Sequence, residues 1–262
     1  MVSILKICTL AVLGFGSLNN STDSLPRSYD VYKTKKPIKI DGESDKAWKK
    51  APWTAYFRDI EGDKKPEPRF KTRVKMLWDD NYLYVLAEME EPHLWATLTQ
   101  RDAIIFNDHD FEVFLDPNND QEQYFEYEIN ALGTVMDLFM QRPYKKGGPM
   151  VMEWNSTNLL SAVKLHGTLN DNRDIDKGWV VEMAIPFKDL ERPGRISKPV
   201  VGATWRINFS RVEWTMDNDG ISYKRRTGAN GKPLPEDNWV WSPQGLIDMH
   251  VPEHWGFIHF KK

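Results

Sequence analysis

The chain has one cysteine, Cys8, in 262 residues. A single thiol builds no disulfide framework, so stability has to come from a buried core. An excess of charge is missing too: 35 basic side chains face 38 acidic ones, a net of -3. That leaves no electrostatic footprint for a phosphate backbone, and nucleic acid is not an expected partner. The apolar run Ile7–Leu18 has 12 residues, too few to span a bilayer. G-x-S-x-G, P-loop, G-x-G-x-x-G and C-x-x-C-H patterns are absent. Esterase, nucleotide, dinucleotide and c-type haem chemistry therefore have no warrant in the sequence.

What is present in quantity is aromatic: 11 Trp, 9 Tyr and 12 Phe. Rings in that number suit a β core, and they also suit flat platforms for a ligand. The N-terminus has the anatomy of a secretory signal. Lys6 precedes the apolar run, polar Asn19 to Thr22 follow it, and cleavage near residue 23 is expected. A periplasmic or secreted protein follows from that reading, with residues 24–262 forming one domain.

Runs rich in β-branched and aromatic residues recur at Pro37–Ile40, Arg73–Trp78, Leu83–Glu88, Asp110–Leu115, Tyr124–Asn130, Val135–Met140, Trp179–Ile185, Trp205–Arg211 and Trp255–Phe260. Several alternate with period two between turn formers. The pattern predicts an all-β fold, an antiparallel β-sandwich of immunoglobulin or jelly-roll type with one working face. Short helices are expected only at Ser44–Lys49, with Asp41 and Asp45 as caps or braces, and at Lys188–Glu191.

Several constellations invite chemistry. His250-Val-Pro-Glu-His254 spells a metalloprotease signature, but Pro252 breaks the helix such a site needs. In Asp108-His109-Asp110, strand alternation lets only the two aspartates converge. Asp116, Asn118 and Asp120 have the spacing that begins a calcium loop, yet Gln121 and Tyr127 exclude an EF-hand, leaving a looser calcium site or a solvated turn. Asp110 with Glu112, and Glu126 with Glu128, pair carboxylates on one face at about 6.5 to 7 Å, a separation glycoside hydrolysis can use. Trp239 and Trp241 share a face if extended, whereas Trp48 and Trp78 sit in framework patterns that mark them as core. Arg211 and Glu213 also share a face, as a structural salt bridge would require.

Ile40-Asp-Gly-Glu-Ser-Asp-Lys-Ala-Trp48, Val74-Lys-Met-Leu-Trp-Asp-Asp-Asn-Tyr-Leu-Tyr-Val85 and Asp110-Phe-Glu-Val-Phe-Leu-Asp116, in that order, resemble family 9 carbohydrate-binding modules and their DOMON-like relatives. Gly178-Trp-Val-Val-Glu-Met-Ala-Ile-Pro186 and the stretch from Trp241 to Phe260 continue the likeness. Asn238-Trp-Val-Trp-Ser-Pro and Met249-His-Val-Pro-Glu resemble strings of the stand-alone proteins of Bacteroidetes-type bacteria.

The resemblance implies a β-sandwich that binds carbohydrate without catalysis, holding a sugar between two tryptophans. By position, Glu112 matches a sugar-contacting acid and Trp241 the second clamp tryptophan. Phe106 stands near the first, with Trp95 or Trp154 as substitutes. Glu128 falls where such modules carry a sugar-binding arginine, a reversal that Arg101 or Arg211 could offset. With Trp239 these residues complete the candidate binding set. Family modules also bind calcium structurally; no other cofactor is expected. A glycoside-active enzyme using Asp110, Glu112, Glu126 or Glu128, and a DOMON-type haem or structural domain, are the alternative readings. The sequence sets neither the sugar nor the oligomeric state.

Overall fold

The computed structural model describes residues 26–44, 46–195 and 197–262. The expected signal segment and Asp45 lie outside these. Among the described residues fifteen strands follow in chain order: β1 (Ser28–Lys33), β2 (Arg58–Asp59), β3 (Thr72–Trp78), β4 (Tyr82–Met89), β5 (Asp110–Asp116), β6 (Tyr124–Asn130), β7 (Val135–Met140), β8 (Met150–Val151), β9 (Leu160–His166), β10 (Gly178–Pro186), β11 (Thr204–Glu213), β12 (Met216–Asn218), β13 (Tyr223–Arg225), β14 (Asp237–Val240) and β15 (Gly256–Lys261). Apart from the β12–β13 ribbon they form one sheet, in the order β8-β7-β6-β5-β11-β15-β1-β3-β4-β10-β9, with β14 and β2 appended beside β11.

That sheet curls over itself. Alternate side chains of its two halves meet in one core: Val31, Met76, Val85, Val181 and Met183 from the β1-β3-β4-β10 half, and Phe111, Val113, Leu115, Phe125, Tyr127 and Phe209 from the β5-β6-β11 half. The result is the sandwich-like, all-β architecture that the period-two pattern implies. It is not wholly antiparallel. β1 pairs in parallel with both β15 and β3, because it enters the sheet between strands reached only by long connections.

Two local expectations change. Pro37–Ile40 forms no strand; instead the carboxylate of Glu182 accepts the backbone N–H groups of Asp41 and Gly42 just beyond it, at 2.8 and 2.9 Å. The expected helices are single 3-10 turns, Ala47–Lys50 and Phe187–Leu190, and the first has no side-chain cap. Trp48 anchors it, its Nε1 donating to Glu182 Oε1 at 2.8 Å.

The outer faces of the two halves are finished differently. Over β3, β4 and β10, the segment carrying Ile38, Trp48 and Ala51 packs on Leu77, Tyr84, Leu86 and Val180 and closes that face with apolar side chains. Over β5, β6 and β7, Ile105, Met249 and Trp255 pack on Phe114, Tyr124 and Leu138 but cover only part of the surface. A pocket remains open there.

Candidate functional site: an acidic pocket with an aromatic rim

The floor of the pocket follows from alternation on β5 and β6. Phe111, Val113 and Leu115 point into the core, so Asp110, Glu112 and Phe114 must point out. On β6, Phe125, Tyr127 and Ile129 take the core, and Tyr124, Glu126 and Glu128 take the outer face. Register then places Glu112 directly opposite Glu128, and Glu128 opposite Met136 of β7. The cavity is about 550 Å³, within the range of small-molecule sites. Its apolar wall includes Ile104, Phe106, Met136, Leu138, Tyr144 and Met150; Glu112, Glu126, Glu128, Asn238 and His250 supply polar groups.

Three buried carboxyls, Glu112, Glu126 and Glu128, line this floor, and a fourth, Asp110, lies fully buried beside Glu112 and Glu128. Burial and mutual repulsion push Asp110, Glu112 and Glu128 well above the ordinary carboxylate range and Glu126 up to about 8. Among the described residues, the ion-pair contact any of the four makes is with His250, whose Nε2 lies 3.8 Å from Glu126 Oε2. Burial pushes His250 down to about 4, so at neutral pH it brings no charge. Its Nδ1 lies 2.9 Å from the Tyr124 hydroxyl, and the Tyr144 ring stands edge-on at 4.4 Å. Glu128 Oε2 accepts the Phe106 N–H at 3.0 Å, and the Trp214 indole donates to the Phe106 carbonyl at 2.9 Å. These two bonds hold Phe106 at the mouth, where its ring is 41% exposed.

Of the residues singled out from sequence, Phe106, Glu112 and Glu128 come together here. Trp239 and Trp241 share a face as alternation requires, but it is the core face: they are 3% and 2% exposed. Trp241 packs against Phe209, and a Cβ at Gly256 would overlap its ring. Trp239 meets Phe70 edge-on and lies beneath the guanidinium groups of Arg69 and Arg211. Neither tryptophan offers a platform to the pocket. Trp95 packs edge-on to His109, and Trp154 sits on Phe125 under Arg192, both away from the pocket lining.

Among the described residues no arginine pairs with Glu128. Arg101 donates to Asp137 at 2.6 Å and to Asn155 at 2.8 Å. Arg211 is fully buried and donates to Glu91 at 2.7 Å and to Glu213 at 2.9 Å. Asp108 and Asp110 do not converge either. Asp108 precedes the strand and accepts from Thr97, Leu98 and Asn130, bracing a loop. At the turn proposed for calcium, Asp116 accepts the N–H groups of Asn118 and Gln121, while Asp120 accepts that of Glu122 and pairs with Arg195. Its oxygens are thus engaged in turn geometry. The carboxylate and histidine groupings that could hold an ion lie elsewhere among the described residues, at Glu91, His109 and Glu213 and at Asp110, Glu112 and Glu128.

Sequence reasoning did not single out Tyr144, Asn238, Met136 or Met150. Tyr144 begins a 3-10 turn between Pro143 and Gly147, and Gly147 has φ 70°, so an aromatic ring on a Pro/Gly-bounded loop is the one signal that could have marked it. His250 braces its loop and also lines the pocket: its backbone N–H donates to Asp248.

Fold and pocket together define a β-sandwich with a preformed small-molecule cleft on one outer face. The chain belongs to the carbohydrate family 9 binding domain-like family, whose model matches residues 40–230. It is 28% identical over 239 residues to the exoglucanase XynX of Acetivibrio thermocellus, covering 82% of this chain and 19% of that protein. Against endo-1,4-beta-xylanase C of Paenibacillus barcinonensis it is 28% identical over 151 residues, covering 58% of this chain and 12% of the enzyme. The chain thus spans less than a fifth of the length of these relatives.

Among solved structures, a family 9 carbohydrate-binding module from Caldicellulosiruptor kristjanssonii in complex with cellotriose matches with TM-score 0.57 and 19% identity, over 90% of this chain and 94% of that one. A protein from Bacteroides uniformis inferred to bind carbohydrate matches with TM-score 0.64 and 16% identity, over 89% of this chain and 99% of that one. At these identities the structures establish the shared fold.

Proposed function

We propose that the chain binds carbohydrate non-covalently and without catalysis, in the pocket over β5, β6 and β7. The observation that carries this is the coincidence, on one open face of a family 9 fold, of exposed rings and hydrogen-bonding acids. The apolar face of a pyranose stacks on Phe106 and Tyr144, and its hydroxyls bond to Glu112, Glu126, Glu128 and Asn238. Protonated carboxyls can donate as well as accept, which suits a hydroxyl-rich ligand.

The xylanase and exoglucanase relatives, and the cellotriose complex, support a β-linked xylan or glucan fragment as the ligand class. The signal-like N-terminal segment supports a periplasmic or secreted location. DOMON-like kinship is part of the same proposal. Among the described residues no helix is long and apolar enough to cross a membrane.

Calorimetry against xylo-, cello-, manno- and pectic oligosaccharides tests it. Saturable binding is expected for at least one series, weakened about tenfold, or ~1.4 kcal/mol, by Phe106→Ala or Tyr144→Ala at unchanged Tm. Trp241→Ala should instead lower stability by roughly 3–5 kcal/mol, as removal of a core ring does. Silence across the panel overturns the reading, and release of reducing sugar that Glu112→Gln abolishes would turn it into a glycoside-active one.

A further inference from the structure

Four acids gather at the pocket floor, and no protein cation among the described residues pairs with Asp110, Glu112 or Glu128. Asp110 is 0% and Glu112 4% exposed. Asp110 Oδ2, Glu112 Oε2 and Glu126 Oε2 are buried without any hydrogen-bond partner. Orphaned carboxylate oxygens at such depth are costly unless something positive meets them.

One oxygen each from Asp110, Glu112 and Glu128 lies within 4.8 Å of the other two. Calcium–oxygen bonds of about 2.3–2.6 Å let a single ion reach oxygens up to about 4.6–5.2 Å apart, whereas magnesium at about 2.0–2.1 Å demands a tighter set. The donors are all hard oxygens. His109, the adjacent imidazole, faces the opposite side of the sheet with Glu91 and Glu213.

We propose that Asp110, Glu112 and Glu128 form a binding site for a hard divalent cation of the calcium class at the floor of the pocket. Asp110 is fixed by the Val212 N–H, which donates to its Oδ1 at 3.1 Å, and Glu128 by the Phe106 N–H. Two adjacent strands carry all three ligands, so the site is preformed on a rigid frame. Three carboxylates, monodentate or bidentate, supply three to six of the six to eight oxygens calcium takes. The remaining positions face the pocket, since Glu112 and Glu128 line it. Glu126, with its own orphan oxygen, stands next to the set.

The site rests on the carboxylates alone and is tested with metal alone, so its failure leaves the carbohydrate reading to its own titration. The full chain, stripped with chelator, is titrated with calcium chloride by calorimetry and by thermal melting, with magnesium chloride in parallel. One saturable calcium event is expected, with Tm rising as calcium increases and a weaker response to magnesium. Glu112→Gln and Asp110→Asn should each weaken it at least tenfold while melting cooperatively in chelator; Asp120→Asn, in the β5–β6 turn, should leave it unchanged. Absence of both heat and Tm rise in the wild type overturns the site. So does calcium binding that Glu112→Gln and Asp110→Asn both retain at wild-type affinity, or that Asp120→Asn alone removes.

Discussion

Two buried acidic clusters lie on opposite faces of the sheet at the start of β5, and only one of them is balanced. On the inner side, Glu91 and Glu213 flank Arg211, with His109 Nδ1 3.5 Å from Glu91 and 3.7 Å from Glu213. Burial alone would raise Glu91, but His109 and Arg211 hold it down to about 2; Glu213, buried beside Glu91, is pushed up to about 7. On the outer side, Asp110 and Glu112 of β5 join Glu126 and Glu128 of β6 with no cation in reach among the described residues. The inner cluster brings its own counter-charges and is architecture. The outer one leaves its charge to be met from the pocket, by protons, by hydroxyls or by a metal.

The strongest test of that contrast removes the inner cation. Arg211→Leu leaves two buried carboxylates against one imidazole, and should cost about 3–5 kcal/mol in urea unfolding. A loss under about 1 kcal/mol would mean that the inner cluster is no more self-sufficient than the outer.

A second test uses pH. The folded-state value of Glu91 is depressed, so its contribution is present above its ordinary value of 4.5 and is lost as pH falls toward about 2. Glu213 has the opposite sign: its contribution is complete below 4.5 and is lost as pH rises through about 7. Glu91→Gln should therefore flatten the fall in stability between pH 4.5 and 2 by about 2–3 kcal/mol, read from denaturant midpoints across that range. An acid limb identical to wild type would remove Glu91 from the account.

The smallest effect has the reverse sign. Glu128→Gln removes one acid from the uncompensated cluster, and at pH 8 with chelator it should leave stability unchanged or raise it by up to about 1 kcal/mol. A loss as large as that of Arg211→Leu would erase the distinction between the two faces.

Much of this arrangement could be read along the strands. Alternation in Asp110-Phe-Glu-Val-Phe-Leu and Tyr124-Phe-Glu-Tyr-Glu-Ile put each carboxylate pair on one face, and Trp48 and Trp78 are core as their framework patterns implied. The Arg211–Glu213 pairing was legible in the same way. What alternation cannot say is which face of a strand is covered. Trp239 and Trp241 do share a face, but β14 joins β11 and β2 so that this face lies inward. The aromatic rim came instead from Phe106 and Tyr144 on loops, whose positions no strand period encodes.

By itself, then, the sequence determined the all-β class, the strand faces and the acidic character of β5 and β6, because side-chain direction repeats every two residues within one strand. The tertiary structure decided that those two strands are neighbours, that their acids fuse into one floor, and that Arg211 serves the opposite face. These are relations between segments far apart in the chain, fixed only when the sheet curls and one outer face is sealed by the Trp48 segment while the other stays open.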